Sequence, residues 1–143
     1  RVAAMSDVSQ QIRAWFVDTL TGVSGFPTAS NGYPAQIAAG TEACVVTTTT
    51  EDLRGSTIHT PPIDERRLEV LVVLAGASLD AVDALSVTAE ETIANAASYP
   101  GKALDLVARA YSENVDTNRV AVTLVLTYAA MSDVRRNDVE TFL

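Results

Sequence analysis

Residues 118–131 read Asn-Arg-Val-Ala-Val-Thr-Leu-Val-Leu-Thr-Tyr-Ala-Ala-Met, and no other stretch constrains the fold as tightly. Val120, Val122, Leu124, Leu126 and Tyr128 fall on one face of an extended chain. Ala121, Thr123, Val125 and Thr127 fall on the other. This period of two, carried by β-branched and aromatic residues, predicts a strand well above the usual length of about 5–6 residues. Its strongly apolar face demands cover. Its small, half-polar face suits a neighbouring subunit or a channel more than a second helical layer.

The cover is legible in two helical patterns. In 6–20, Val8, Ile12, Trp15, Phe16 and Leu20 form one stripe, with Ser6 or Asp7 as cap and Asp7–Gln10 at capping-box spacing. From Ser78 or Asp80 to about Ala97, the stripe is Leu79, Val82, Leu85, Ala89, Ile93 and Ala96. Residues 66–75 predict a second long strand, apolar on both faces beyond Leu71 and therefore central in a sheet or at a subunit contact. Shorter strands are expected at 35–39, 42–50 and 103–111, with a loop at 22–34 and a polar turn at 112–118. The expectation is a single α+β domain over 1–143: a mostly antiparallel β-sheet with two helices packed on one face, its core at about 6–131.

Two segments fall outside that core. Residues 51–65 hold Glu51, Asp52, Arg54, Gly55, His59, Pro61, Pro62, Asp64 and Glu65, with Leu53, Ile58 and Ile63 between them. They read as a long loop, a kind that usually carries function. Residues 132–143 read as a polar C-terminal extension ending in Phe142-Leu143. Leu53, Arg54, Ile58, Ile63, Arg135, Arg136, Phe142 and Leu143 are the candidate protein–protein contacts on these two arms. Ala-Ala-Met-Ser-Asp-Val occurs twice, at 3–8 and 129–134, but the flanks differ and no domain repeat follows.

The chemistry of catalysis is thin. His59 is the lone histidine and has no evident orienting partner, so a nucleophilic triad has nothing to build on. Cys44 is the lone cysteine, which rules out an intramolecular disulfide, and it reads as a small hydrophobe in a strand. A zinc site on Cys44 and His59 lacks two further ligands. The pairs Glu51-Asp52, Asp64-Glu65 and Glu90-Glu91 read as solvated charge, and Trp15 and Phe16 as core. No P-loop, dinucleotide fingerprint or Cys-x-x-Cys is present. No enzyme, cofactor or metal is expected. A net charge of −8 argues against a protein that binds nucleic acid through phosphate contacts. No run approaches the roughly 18–20 apolar residues of a membrane span, and none reads as a signal peptide, so no membrane partner is expected.

The order of elements resembles the tail terminator proteins of long-tailed bacteriophages, of the minor tail protein U type. The likeness rests on the helix ending Trp15-Phe16-Val17-Asp18-Thr19-Leu20, the strand Arg-Arg-Leu-Glu-Val-Leu-Val-Val-Leu at 66–74 and the helix at 79–97. It also rests on the final strand, led into by a polar turn after Val107-Ala108-Arg109-Ala110-Tyr111. It covers 6–131 as an architecture and not as a sharp motif. The Pro-Pro loop and the extension after Met131 depart from it. The resemblance implies a structural virion protein, located in the tail or neck and assembled in the host cytoplasm. It would form a homo-hexameric ring that caps the tail tube, ends its polymerisation and joins tail to head. The implied partners are its own copies, the major tail tube protein and a head–tail connector or stopper protein, with DNA only passing through the channel. Another neck component, or a small-ligand-binding α+β domain, are the alternatives. Six copies would multiply the single-chain charge of −8, giving an acidic wall that repels DNA phosphate unless Arg66, Arg67, Arg135 and Arg136 line it.

Overall fold

The computed structural model describes residues 7–32, 42–56, 63–116, 119–136 and 140–143. Helix α1 (Val8–Leu20) opens it, capped by Asp7 in a complete capping box with Gln10. A short strand β1 (Ala29–Asn31) precedes two long ones, β2 (Ala43–Ser56) and β3 (Ile63–Gly76). Helix α2 (Leu79–Asn95), capped by Ser78, leads to β4 (Ala103–Asp116), β5 (Arg119–Arg136) and β6 (Glu140–Phe142). The strands form one sheet in the order β1-β2-β3-β5-β4, with β6 pairing onto β5. Every pairing is antiparallel except β1 with β2. This is the expected α+β fold, with β3 and β5 at the centre of the sheet.

The period-two reading of the central strands sets the layers. Leu68, Val70, Val72 and Leu74 of β3 point the same way as Leu124, Leu126 and Tyr128 of β5, and all are buried. Both helices pack on that face. Val8, Ile12, Phe16 and Leu20 come from α1, and Val82, Leu85, Ala89 and Ile93 from α2. Phe16 meets Trp15 edge-on at 5.1 Å and Tyr128 at 5.4 Å between ring centroids. Phe16 is thus core, while Trp15 is partly buried against it, its Nε1 donating to Ser98 Oγ at 3.1 Å. Cys44 lies in this core, where burial pushes its thiol up to about 12.

Several boundaries differ from the sequence reading. The expected loop at 51–65 is largely strand: β2 runs on to Ser56 and β3 starts at Ile63, paired as a hairpin from Glu51↔Leu68 out to Ser56↔Ile63. A bulge between Thr48 and Glu51 resets the register and interrupts the alternation by which a strand is recognised. Likewise, the expected polar turn at 112–118 is mostly strand, since β4 and β5 stay paired as far as Asp116↔Arg119. The tail is not a free arm: β5 continues to Arg136, and β6 folds back so that Phe142 pairs with Val134 and packs against the core. Leu79, assigned to a buried stripe, is 56% exposed: it is the first residue of α2, next to the cap, where residues 77–80 are all exposed. The expected strand at 35–39, together with Ile58 and His59, lies outside the described residues.

Candidate protein–protein interface

The sheet has two unlike outer edges, and among the described residues both are open. On one side β1 covers only Cys44–Val46 of β2, so the outer edge of β2 from Thr47 to Ser56 pairs with no described strand. On the other side β4 has β5 along one edge and no described strand along the other. An open edge presents a row of unpaired N–H and C=O groups, a template for another chain. The two edges carry exposed apolar side chains as well. Leu53 is 55% exposed on β2, while Val107 and Tyr111 are both 48% exposed on β4.

The hairpin arm bearing Leu53 is anchored along its length by an ion cluster the sequence reading missed. Asp64 and Arg66 are two apart in β3, so both point to the helix face, and both are buried. Arg66 Nη1 donates to Glu140 Oε1 at 2.9 Å and Nη2 to Asp64 Oδ2 at 3.3 Å; Nη2 also pairs with the other Glu140 oxygen, and Glu51 lies 3.8 Å away. Val8 N–H, at the start of α1, donates to Glu140 at 3.2 Å, and Ser9 Oγ donates to Glu51 at 2.9 Å. The hydrogen bond to Glu140 is the main cause holding the Arg66 guanidinium above its ordinary pKa. One cation thereby ties β2, β3, β6 and the N-terminus of α1 together. Asp64 is therefore not the solvated charge expected of it. The i, i+2 spacing of opposite charges in a strand was the available signal.

Beside the other edge runs a groove of about 340 Å³, lined by Ile93 and Ala94 of α2, Leu104 and Leu106 of β4, and Tyr99 and Tyr128. It lies where α2 sits over β3 and β5 and covers β4 only in part, so that Leu106 remains 37% exposed. Two of its polar groups, Glu90 and the Tyr99 hydroxyl, are already engaged. Glu90 accepts from Ser86 Oγ and lies 3.7 Å from Arg109 Nε; Arg109 Nη2 donates to Ser86 Oγ at 2.8 Å. Tyr99 OH donates to the Met131 carbonyl at 3.1 Å, and burial raises the pKa of both Tyr99 and Tyr128. Further along, Tyr111 OH donates to Asp83 at 2.6 Å, which is the main cause raising its pKa.

The other expected contact residues divide by position. Arg54 is exposed on the arm, and Ile63 is half-buried, paired between Ser56 and Arg135. Arg135 is exposed, Arg136 pairs through its backbone with Glu140, and Leu143 is 58% exposed with its N–H on the Asp133 carbonyl. Leu53 and Arg54 thus stand on one sheet edge, while Arg135 and Leu143 stand near the end of β5. No described residue cluster of three or more His, Cys, Asp or Glu side chains is arranged to hold a metal ion, and no described helix is long and apolar enough to cross a membrane. Neither a protein-family model nor a curated protein matches the chain.

Proposed function

We propose that the protein is a structural subunit of a phage tail, a tail-terminator-type protein that closes into a ring, caps the tail tube and meets the neck. The observation that carries the reading is the pair of unlike open edges. β2 and β4 run in opposite directions, because the three pairings β2–β3, β3–β5 and β5–β4 are all antiparallel. A second copy placed beside the first in the same orientation therefore sets its β2 antiparallel to the first copy's β4, with its helices on the same face. Such a contact is head-to-tail, and head-to-tail contacts generate closed rings or open filaments, never isolated twofold dimers. The architectural likeness to tail terminators selects the ring and supplies the tube and the neck as partners.

A small-ligand-binding role is less well supported. The groove is large enough for a small molecule, since ligand pockets run from about 300 Å³ upward. Its carboxylate and the Tyr99 hydroxyl nevertheless already have partners in the fold.

Light scattering across a concentration series, followed by negative-stain imaging, tests the proposal. Discrete ring-shaped oligomers that stop the polymerisation of purified tail tube protein are expected. A monomer at every concentration, without effect on tube length, would overturn it.

A further inference from the structure

We infer that the arm of one copy seats on the next copy's β4 in a single register, with Leu53 opposite Leu106 and Arg54 opposite Asp105. This rests on the ring reading and names the surface that would build it. Faces come first. Leu53 pairs with Arg66 and so points to the helix side, as does Leu106, which pairs with Tyr128. Arg54 pairs with Glu65 and Asp105 with Ala129, so both point to the opposite side. In an antiparallel pair, setting Leu53 against Leu106 necessarily sets Arg54 against Asp105. One register thus joins two exposed apolar side chains on one face and two exposed opposite charges on the other.

Alternative registers lose this match. A shift of one residue puts Leu53 on the wrong face, as any odd slip does. A shift of two toward the start of β4 keeps Leu53 on the helix side, against Leu104, but sets Arg54 against Ala103 and leaves the charge unpaired. The chosen register also fits the lengths. The stretch of β2 that β1 leaves open, Thr47 to Ser56, lies along β4 from Ala103 to Ser112; Glu113 to Val115 then come level with Cys44 to Val46, so the three-residue β1 has to leave that edge for the two strands to pair along the whole of β4. Leu53 then closes the open side of the groove formed by Leu104, Leu106 and Ile93, where its burial removes apolar surface of both copies from water.

Directly opposed residues have Cβ atoms about 4.5–5.5 Å apart, close enough for engineered cysteines to be oxidised together. The test is a chain carrying both Leu53→Cys and Leu106→Cys, oxidised at assembling concentration and run on a denaturing gel. Cys44 is buried and contributes no background. A ladder of covalent oligomers is expected from the double variant, and none from either single variant. In parallel, Arg54→Asp and Asp105→Arg should each raise the concentration for half-assembly by roughly three- to ten-fold, and the double swap should restore it. Cross-linking by Leu53→Cys or Leu106→Cys alone would mean a twofold contact and overturn the inference. So would a wild type that forms rings while the double variant gives no ladder; the ring reading would then stand without this register. A ladder from open filaments would uphold the register and overturn the ring. A wild type that never assembles, with no ladder, would overturn both.

Discussion

Arg66 shows how one side chain can decide where a hairpin points. Its charge is matched by Asp64, Glu51 and Glu140 in a site closed to water on the arginine side, although its Nε finds no partner among the described residues. Arg66→Met leaves three carboxylates facing one another beside the start of α1. Removing one member of a buried pair costs about 3–5 kcal/mol, and partial access of water to Glu51 and Glu140 puts this case toward the low end. Urea unfolding measures it, and Glu140→Gln should cost less because the amide still accepts from Arg66. Cys44 gives a second expectation. The thiol ionises near 9 in the unfolded chain and only near 12 in the fold, so above pH 9 the unfolded state binds fewer protons than the native state. Stability therefore falls as pH rises from 9 toward 12, by up to about 1.4 kcal/mol per pH unit from this group. Tyr99 and Tyr128 add a loss of the same sign at higher pH, since burial raises both. Cys44→Ala should flatten the slope between pH 9 and 10 in denaturant titrations, whatever its effect on stability at pH 7.

Among the elements, α1 is the most self-determined. Its capping box and its stripe of Val8, Ile12, Phe16 and Leu20 are local facts, and the structure carries both as the sequence predicts. Asp7→Ala should cost about 1 kcal/mol through the lost cap, and Phe16→Ala about 3–5 kcal/mol through the cavity between Trp15 and Tyr128. Both are read from thermal or denaturant unfolding. The central strands were equally legible, since burial on the helix face imposes alternation on β3 and β5. The edges were not. A strand open to water on both faces, such as β4 at Ser112 and Glu113, need not alternate, and Ser112-Glu113-Asn114 reads as a turn in sequence. Bulges at Thr48–Glu51 and Leu106–Ala108 shift the period where it would have helped. The candidate contact residues suffered the same way: Leu53 and Arg54 were visible as unusual, but only pairing with β3 assigns them to opposite faces. Phe142 was visible as a terminal aromatic, and only β6 folding back turns it inward.

At the scale of the whole molecule, charge sets an expectation for nucleic acid. With a net charge of −8 and Arg66 locked among carboxylates, the chain offers little to DNA phosphate, so duplex DNA should not be retarded by it in gels run at about 0.15 M salt. Retardation at that ionic strength would contradict the acidic-wall reading. The sheet also carries a geometric debt into any assembly. Leu53 stands level with Ser132, whereas Leu106 stands level with Tyr128, so joining them slides each copy along the strand direction by the rise of four residues, roughly 13 Å. Repeated in one sense around a circle, that slide cannot close unless the strands lean from the ring axis, as they do in a sheared barrel. The inner wall would then be ribbed obliquely, and anything threading the opening would meet a screw surface of one hand.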